Sequence, residues 1–514
     1  MKTGKVYLVG AGPGDPGLMT VKGLACLKEA DVVIYDYLAN EQLLNSAKAG
    51  AEKIYVGKKG GDRTLPQEKI NSLIVAKAGE GKAIVRLKGG DPFIFGRGGE
   101  EAEELAEAGI PFEIVPGVTS AIAAPAYAGI PLTHRSYTST VAFITGHEDP
   151  AKEESQIAWD KIATGIGTLV FLMGVGNLPR IASKLVEHGR SPQTPVALIR
   201  WGTLPEQETY LGTLATIGKV AEVHKVKPPV IILVGEVAAL RDKLNWFETL
   251  PLFGRKIVVT RSREQASDLS ERLRKLGALP IEFPTIEILP PDSHDDLDHC
   301  AARLGEYDWI IFTSANGVRF FISRLLEIGR DIRDLKGPRI AAIGPKTAEE
   351  LEALKVRVDF VPREYRAEAI YEGMRKEDLE GKKILIPRAK VARDVLPAEL
   401  RKAGARVEVV EVYRTIRPES GLEKVRELLE KNQVAAVTFT SSSTVTNFVE
   451  LLGKENASKL MEGTIAAAIG PVTAETAKSF GIETAVVPKD YTIPGLVESL
   501  AAYFKGKGIN KPGS

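Results

Sequence analysis

A glycine-rich segment at residues 89–99 carries the residue types most suited to chemistry. It holds five glycines together with Asp91, Pro92 and Arg97. Glycines at this density let backbone amides approach a ligand closely, and Asp91 is held extended because a proline follows it. The segment follows a predicted strand at residues 83–87, and open α/β sheets bind ligands at the carboxyl ends of strands. We therefore predict a ligand site here; the alternative is a strand-to-helix turn with incidental glycines, although such turns need only about two to six residues.

A second glycine loop, residues 10–17, follows a predicted strand at residues 6–9. Asp36 ends the next predicted strand, so the pattern invites a dinucleotide-binding interpretation. We disfavour it, because Pro13 and Pro16 remove amide donors at positions where a pyrophosphate would need them.

Alternating strands and helices must position these loops. Helices are predicted at residues 20–30, from about residue 100, and at 121–128, the last opened by the turn at 116–120. This order predicts an α/β first half with mixed sheets, built as two lobes that face a ligand cleft. Further strands are predicted at residues 32–35, 53–56, 111–115, 140–145, 168–173, 196–200 and 230–234.

Seven short motifs give the first half a family resemblance over about residues 5–243. It resembles the uroporphyrinogen-III C-methyltransferases, which use S-adenosylmethionine as methyl donor. The motifs are residues 10–20, 55–59, 88–101, 116–120, 131–135, 171–174 and 201–203. The cofactor contacts that the resemblance implies are Pro13, Gly89, Gly90, Asp91, Ile94, Thr119, Ser120, Met173 and Gly202.

The same resemblance implies catalytic roles in the first half. Asp36 would accept a proton, Lys58 would donate one, and Arg97 and Glu100 would handle the substrate. Arg135 is a further expected anchor, because guanidinium groups bind carboxylates bidentately and the substrate is a polycarboxylate. Methyl transfer is an in-line displacement, so positioning and exclusion of water are the main demands.

Structural roles remain open for some of these residues. Asp36 would then be a strand-end cap, Arg97 a surface ion-pair partner of Glu100 or Glu101, and Met173 a core residue.

The second half repeats itself. Residues 254–261, 273–278 and 312–314 recur at an offset of 127, and residues 343–348 recur at an offset of 126. Such a repeat predicts two similar α/β lobes. Each lobe has Thr-Ser at a strand end and a Gly-Pro-x-Thr-Ala helix start, where free amides and hydroxyls bind anions. The alternative is that the threonines and serines only cap helices.

This half, about residues 255–503, resembles uroporphyrinogen-III synthase. The resemblance implies a cofactor-free cyclisation of hydroxymethylbilane with inversion of its last pyrrole. It also implies that Tyr413 assists departure of the terminal hydroxyl, although a tyrosine beside a crossing strand is often structural. The substrate-binding residues expected in this half are Thr313, Ser314, Thr347, Ser441 and Thr473.

Composition limits the partners. Lysine and arginine total 68 against 67 acidic residues, so no global field attracts nucleic acid or an anionic membrane. No apolar run is long enough for a bilayer span, and no signal peptide is expected. Two cysteines favour a reducing cytoplasm. No metal site is expected, since the acidic and histidine-containing stretch at residues 291–300 is explained as a helix start. The family resemblance favours a homodimer through the first half.

We expect an α/β chain in which a two-lobed methyltransferase fold precedes a duplicated, two-lobed parallel synthase fold. The first would span residues 1–245 with lobes of about 1–116 and 117–245, and residues 246–254 would be a linker. The synthase would span 255–504, with one lobe from 255–286 and 415–504 and the other from 287–414. A flexible tail would follow at 505–514.

Together the halves predict an enzyme that makes uroporphyrinogen III and methylates it twice, giving precorrin-2 for sirohaem or corrinoids. The alternatives are a non-catalytic two-lobed binding module in the second half, or a different methyl acceptor for the first.

Overall fold

The described residues form four five-stranded sheets, two in each half of the chain. The structure is a computed structural model, and it describes residues 4–57, 65–147, 156–261, 263–362, 367–375, 378–391, 394–416, 418 and 421–506. Helices cover both faces of the sheets. In one strand of the fourth sheet, for example, Ile310 and Phe312 pack into one core while Trp309 and Ile311 pack into another. Strands buried on both faces need continuous apolar runs, and these runs are what made most of them predictable.

The first sheet is entirely parallel, with the strand order β3-β2-β4-β1-β5. Its strands are β1 (Val6–Gly10), β2 (Val32–Tyr35), β3 (Glu52–Tyr55), β4 (Ile84–Lys88) and β5 (Phe112–Val115). Because all five strands run in the same direction, the loops after β1, β2, β4 and β5 lie at one edge of the sheet.

The second sheet is mixed, with the order β6-β7-β10-β8-β9. Its strands are β6 (Val141–Thr145), β7 (Thr168–Leu172), β8 (Pro195–Arg200), β9 (Glu208–Thr213) and β10 (Val230–Val234). Strand β10 is antiparallel to both β7 and β8, and β6 is parallel to β7. Strands β6, β7 and β8 therefore share one direction and end at the same edge. The predicted mixture of sheets in this half is confirmed.

The helices of the first half are α1 (Val21–Glu29), α2 (Gln67–Gly79), α3 (Gly98–Glu107), α4 (Ser120–Tyr127), α5 (Trp159–Gly165), α6 (Leu178–Glu187), α7 (Ile217–Val223) and α8 (Arg241–Leu244). Threonine hydroxyls cap two of them: Thr20 accepts from the amide of Gly23 ahead of α1, and Thr119 accepts from that of Ala121 ahead of α4. Both caps fix the end of a loop that reaches the cleft.

The third sheet has the parallel order β12-β11-β18-β19-β20, and the fourth has the order β13-β17-β16-β14-β15. The third sheet contains β11 (Lys256–Val259), β12 (Leu279–Glu282), β18 (Ala436–Phe439), β19 (Ile465–Ala468) and β20 (Thr484–Val486). The fourth contains β13 (Glu287–Leu289), β14 (Trp309–Phe312), β15 (Arg339–Ala342), β16 (Lys383–Ala389) and β17 (Arg406–Ile416). The chain thus inserts the whole fourth sheet between two parts of the third.

The two sheets of the second half repeat one topology. Strands β12, β11, β18 and β19 correspond in order to β17, β16, β14 and β15. The place of β20 is taken in the fourth sheet by a parallel bridge between Ala341 and Phe360. Antiparallel β13 pairs with the end of β17 and has no counterpart in the third sheet. The predicted duplication of a two-lobed α/β fold is confirmed.

The helices of the second half are α9 (Arg263–Lys275), α10 (Asp295–Ala302), α11 (Ala315–Glu327), α12 (Pro345–Ala353), α13 (Ala367–Met374), α14 (Val395–Lys402), α15 (Leu422–Glu430), α16 (Ser442–Leu452), α17 (Ala457–Leu460), α18 (Pro471–Ser479) and α19 (Ile493–Gly506). Residues 505 and 506 of the expected tail belong to α19, and residues 507–514 lie outside the described residues. None of the helices in the described ranges has the length and apolar character needed to cross a membrane.

Candidate active sites

Three glycine loops of the first half meet at the carboxyl edge of the parallel sheet. The amide of Gly90 donates to the carbonyl of Gly12 at 2.7 Å, and that of Gly12 donates back at 3.2 Å. A Cβ on Gly117 would lie 2.3 Å from the carbonyl oxygen of Gly90, and one on Gly10 would lie 2.5 Å from the Cα of Gly117. No side chain fits at these points, so the three backbones form a close-packed cradle.

Asp91 fastens this cradle. Its Oδ1 accepts from the amides of Phe93 at 2.8 Å and Ile94 at 3.2 Å, and its Oδ2 accepts from the amide of Gly117 at 3.0 Å. The carboxylate direction expected from the Asp-Pro sequence is therefore used to join two loops of the protein itself. A direct cofactor contact by Asp91 stays a prediction.

The loops after β7 and β8 bring strained backbone to the facing edge of the second sheet. Met173 follows β7 with a left-handed φ of 57° and is 55% exposed. Gly202 follows β8 and stands between two further left-handed residues, and its Cβ position would lie 2.3 Å from the Cβ of Ala124. Among the described residues, eight non-glycine positions have a positive φ, and five of them belong to the loops of this cleft: Phe95, Arg97, Met173, Trp201 and Thr203. Strain of this kind concentrates at functional sites. The exposure of the Met173 side chain argues against a core role for this residue.

Contacts between the lobes show that these loops share one cleft. The amide of Asp15 donates to Thr203 Oγ1 at 3.0 Å. The rings of Tyr37 and Trp201 lie 5.9 Å apart in an edge-on arrangement. The first contact joins the loop after β1 to the loop after β8, and the second joins the latter to the loop after β2.

The remaining expected cofactor contacts lie on the same loops. Ile94 is 36% exposed, whereas Thr119 is buried and uses its hydroxyl to cap α4 at 3.3 Å. Pro13, Gly89, Gly90 and Ser120 are partly exposed. The structure thus brings the predicted set together around one cleft, and each single cofactor contact stays a prediction.

Asp36 lies directly after β2 and is joined to a buried ionic network. Its Oδ2 accepts from Arg86 Nη2 at 3.1 Å, while Arg86 Nε donates to Glu101 Oε1 at 3.2 Å. Lys88 Nζ donates to the same Glu101 oxygen at 2.7 Å. The side chains of Arg86, Lys88 and Glu101 are 3%, 5% and 0% exposed, whereas that of Asp36 is 28% exposed. The network therefore leads from the interior of the lobe to the cleft.

Two further observations describe the electrostatics of this network. Burial lowers the pKa of Lys88 below its ordinary value of 10.5, with the charge of Arg86 acting in the same direction and Glu101 opposing both. The second oxygen of Glu101, Oε2, is buried without a hydrogen-bond partner.

Our sequence interpretation assigned no role to Arg86 or Lys88 and considered Glu101 only as a surface partner of Arg97, although a signal for a buried network was present. Arg86 and Lys88 are two residues apart on a strand, so they share one face. Charged residues on a strand that reads as buried need a partner inside the protein. The acidic residues that open α3 were the available candidates.

Arg97 and Glu100 pair with each other at the surface. Arg97 donates to the two carboxylate oxygens at 2.8 and 2.6 Å, and the side chains are 56% and 50% exposed. This pairing raises the pKa of Arg97 and lowers that of Glu100. The surface ion pair between Arg97 and Glu100, which was the structural alternative, is thus observed. Substrate handling by these two residues stays a prediction. Arg135 is exposed in the turn closed by His134 and Thr138, and Lys58 lies outside the described residues.

In the second half, Tyr413 and Ser314 meet although 99 residues separate them. Tyr413 lies near the end of β17, and its hydroxyl is 3.1 Å from Ser314 Oγ. The ring of Tyr413 stacks on Phe320 at a centroid distance of 5.8 Å. A predicted catalytic residue and a predicted substrate-binding residue are therefore in direct contact at the carboxyl edge of the fourth sheet.

The duplicated helix starts use the same capping chemistry in both lobes. Ser314 caps α11 through the amide of Gly317, and Ser441 caps α16 through the amide of Thr444. Gly344 and Gly470 precede α12 and α18 without any side-chain cap. The capping role of the serines is thus observed, while the two glycine-started helices have no side-chain cap, and helix starts favour anions.

The three predicted threonines differ in exposure. Thr313 is partly exposed after β14, whereas Thr347 and Thr473 are only 4% and 5% exposed. Thr347 and Thr473 lie in the first turns of α12 and α18, and their side chains are buried. Contacts between their hydroxyls and a substrate therefore stay predictions.

Comparison with known proteins identifies both halves. The family of Tetrapyrrole (Corrin/Porphyrin) Methylases matches residues 5–218, and the family of Uroporphyrinogen-III synthase HemD matches residues 267–498. The Porphyrin biosynthesis protein HemD of Ruminiclostridium josui is 39% identical over 502 residues, which cover 97% of this chain and 98% of that protein. The chain belongs to both families. The expected fusion of a tetrapyrrole methylase with a HemD synthase is confirmed.

Two other relatives carry the name of a uroporphyrinogen-III methyltransferase. The Uroporphyrinogen-III C-methyltransferase of Bacillus subtilis (strain 168) is 43% identical over 354 residues, covering 68% of this chain and 72% of its own. The S-adenosyl-L-methionine-dependent uroporphyrinogen III methyltransferase of Methanosarcina barkeri (strain Fusaro / DSM 804) is 57% identical over 242 residues, covering 47% of this chain and 95% of its own. A non-catalytic module in the synthase half, or a methylase of an unrelated substrate, is not favoured.

Proposed function

We propose that this bifunctional enzyme closes hydroxymethylbilane to uroporphyrinogen III and then methylates the product twice, giving precorrin-2. One observation carries the proposal. A single chain aligns over almost its whole length with a porphyrin biosynthesis protein, and each of its halves gathers polar loops at the carboxyl edges of its sheets. The product of the second half is the substrate of the first, so the two activities are consecutive.

The methyltransferase half uses S-adenosylmethionine, as the name of the Methanosarcina relative states for that protein. The fit rests on the cradle of Gly10, Gly90 and Gly117: a Cβ on Gly10 or Gly117 would collide with backbone, and Gly90 has a left-handed φ of 70° that favours glycine. When bound, this group supplies an electrophilic methyl. Met173 and Gly202 would hold it from the facing lobe, and Asp91 would keep the cradle closed.

Asp36 would accept the proton that a pyrrole carbon loses after it is methylated. Arg86 donates to Oδ2 and the amide of Leu38 donates to Oδ1, which fixes the carboxylate plane. Lys58 is the proposed proton donor. Arg135 and Arg97 would bind carboxylates of the macrocycle, and Arg97 would exchange its partner Glu100 for a substrate carboxylate.

In the synthase half, the proposed acid is Tyr413. The carbon–oxygen bond of the terminal hydroxymethyl group breaks, its electron pair leaves with oxygen, and the phenol proton converts that oxygen to water. Ser314 Oγ, at 3.1 Å, would orient the phenol. The helix starts at Gly344 and Gly470, one from each lobe and neither capped by a side chain, would bind substrate carboxylates without any cofactor.

Several broader properties belong to the same proposal. The sequence-based domain limits, residues 1–245 and 255–504, stay predictions, and the methyltransferase half would form a homodimer. The near-zero charge balance supports small-molecule substrates rather than nucleic acid or membrane. The two buried cysteines support a reducing, cytoplasmic location.

Incubation of the full chain with hydroxymethylbilane and S-adenosylmethionine tests the proposal. We expect the type III isomer with a mass increase of two methyl groups, and without S-adenosylmethionine we expect unmethylated uroporphyrinogen III. Accumulation of only the spontaneously formed type I isomer would overturn the synthase assignment. Unmodified type III product in the complete mixture would overturn the methyltransferase assignment.

A further inference from the structure

The expected linker is packed against both halves of the protein. Trp246 Nε1 donates to the carbonyl of Ala126 at 3.0 Å, and the amide of Leu252 donates to the carbonyl of Leu276 at 3.0 Å. Leu252 is fully buried in a core of the third sheet. We call residues 246–253 the connecting segment. It bridges α4 of the methyltransferase half and the end of α9 of the synthase half.

An aromatic route leads from this segment to the first glycine loop. The ring centroids of Phe253 and Phe247 lie 5.2 Å apart, and those of Phe247 and Tyr127 lie 4.8 Å apart. The ring centroid of Trp246 lies 5.0 Å from that of the same tyrosine. The hydroxyl of Tyr127 donates to Asp15 Oδ2 at 2.7 Å. Burial, together with the Asp15 carboxylate, raises the pKa of Tyr127, so this hydroxyl keeps its proton and remains a donor.

A polar route reaches the same residue. Glu248 pairs with the buried Arg241 at 2.6 Å and accepts from Gln207 Nε2 at 2.9 Å. Gln207 is fully buried, and its Oε1 accepts from the amide of Thr203 at 2.9 Å. Thr203 Oγ1 in turn accepts from the amide of Asp15 at 3.0 Å. One route therefore holds the side chain of Asp15 and the other holds its backbone.

Asp15 determines the path of its loop. Its Oδ1 accepts from the amide of Gly17 at 2.8 Å, which fixes the turn ahead of α1. Gly14 precedes it, and the carbonyl of Gly14 is held by Asn40 Nδ2 at 2.7 Å. The loop contains few side chains, so these external contacts do most of the ordering.

We infer that the connecting segment is a positioning element of the methyltransferase site, acting through Tyr127 and Thr203 on Asp15. On this inference, the functional limit of the methyltransferase lies beyond residue 245, within the segment shared with the synthase. The ligand readout below rests on the proposed function, whereas the loop readout does not.

The test compares Tyr127→Phe with wild type in the full chain. Amide hydrogen exchange of residues 12–18, measured without ligand, should become about tenfold faster, since a hydrogen bond to a charged group is lost. The dissociation constant of S-adenosylhomocysteine, measured by calorimetry, should rise about tenfold. Trp246→Ala, which removes the ring beside Tyr127, should shift both quantities in the same direction.

Tyr307→Phe is the matched control. Its hydroxyl also donates to a carboxylate, that of Glu408 at 2.5 Å, but in the synthase half. It should leave the exchange of residues 12–18 and the dissociation constant unchanged. Unchanged loop exchange in both Tyr127→Phe and Trp246→Ala would overturn the inference, whatever the ligand does. Failure of wild type to bind S-adenosylhomocysteine would instead count against the proposed cofactor, and the ligand-free exchange data would still decide the inference.

Discussion

The ionic network behind Asp36 yields the sharpest prediction. Glu101 is the only carboxylate shown within hydrogen-bond distance of Lys88 in the described residues, and it also binds Arg86. Glu101→Gln leaves the volume almost unchanged but leaves two buried cations short of one negative charge. Removing one partner of a buried ion pair costs about 3–5 kcal/mol. For a unit of this size, about 2–4 °C is lost per kcal/mol, so the unfolding temperature of the methyltransferase half should fall by about 6–20 °C.

The adjacent residue supplies the control. Glu100→Gln removes the same charge from an exposed pair with Arg97, and such pairs contribute only about 0.2–1 kcal/mol. Scanning calorimetry of the full chain measures both variants, and the transition of the methyltransferase half is the one that S-adenosylhomocysteine shifts. Hydrogen exchange of residues 84–88 gives a local second reading.

The loss in Glu101→Gln should also depend on pH. The pKa of Lys88 in the folded state already lies below its ordinary 10.5, and without Glu101 it falls further. Between the folded pKa of Lys88 in the variant and its higher folded pKa in wild type, only the folded variant has released a proton that its unfolded chain still binds, so only the variant gains stability as the pH rises. The deficit relative to wild type should therefore be smaller at pH 9 than at pH 7.

A double variant tests the coupling. Lys88→Met combined with Glu101→Gln removes the buried cation whose only described carboxylate partner is Glu101, while Arg86 keeps Asp36, so the double variant should be more stable than Glu101→Gln alone. If Glu101→Gln and Glu100→Gln destabilise equally, and the double variant shows no recovery, the buried charges do not act as a unit and the reasoning is wrong.

Three further predictions concern Asp91, Tyr413 and Cys300. Asp91→Asn should weaken S-adenosylhomocysteine binding at least about tenfold, because hydrogen bonds to a charged acceptor contribute about 1.5–3 kcal/mol and three backbone amides donate to the Asp91 carboxylate. Calorimetric titration measures the affinity, and an unchanged affinity would contradict the role of Asp91 in holding the cradle. Tyr413→Phe should slow type III formation about 100-fold or more, measured by isomer separation, while methylation of supplied uroporphyrinogen III stays normal; a normal cyclisation rate would leave Tyr413 structural. Burial raises the pKa of Cys300 to about 11, against an ordinary 9.0, so native protein at pH 8 should react with thiol reagents far more slowly than protein in urea. The unfolded thiol ionises first, so this residue's contribution to stability should be lost as pH rises from about 9 to 11.

The fold was largely predictable because its strands are buried on both faces. Apolar runs gave the position of β10 at Val230–Val234 without error, and placed most other strands of the first half to within a residue or two. Strand β9 was missed because the run Glu208–Thr213 is polar and partly exposed at a sheet edge. The connecting segment was interpreted as a simple linker, since its single proline and its aromatic residues do not reveal which surfaces they pack against.

The sequence predicted which residue types lie at the two sites better than it predicted which residues contact each other there. The density of glycines located the cradle, but only the structure shows that the carboxylate oxygens of Asp91 accept hydrogen bonds from backbone amides. Local spacing also could not show that Tyr413 meets Ser314, because that contact depends on how β17 lies against α11. Arg97 and Glu100, three residues apart at a helix start, are the opposite case, since their pairing was available from sequence and was observed.

The insertion of one lobe into the other has a consequence for how the protein is made. Val258 receives a hydrogen bond from Thr438 across 180 residues, and the whole fourth sheet lies between them. A ribosome adds about 5–20 residues per second, so β11 waits on the order of 10–40 s for its neighbour to emerge. During that interval, an apolar strand with one unpaired edge is exposed to other nascent chains. The halves therefore differ in their exposure to misassembly, and the synthase half is the one with most to gain from chaperone protection.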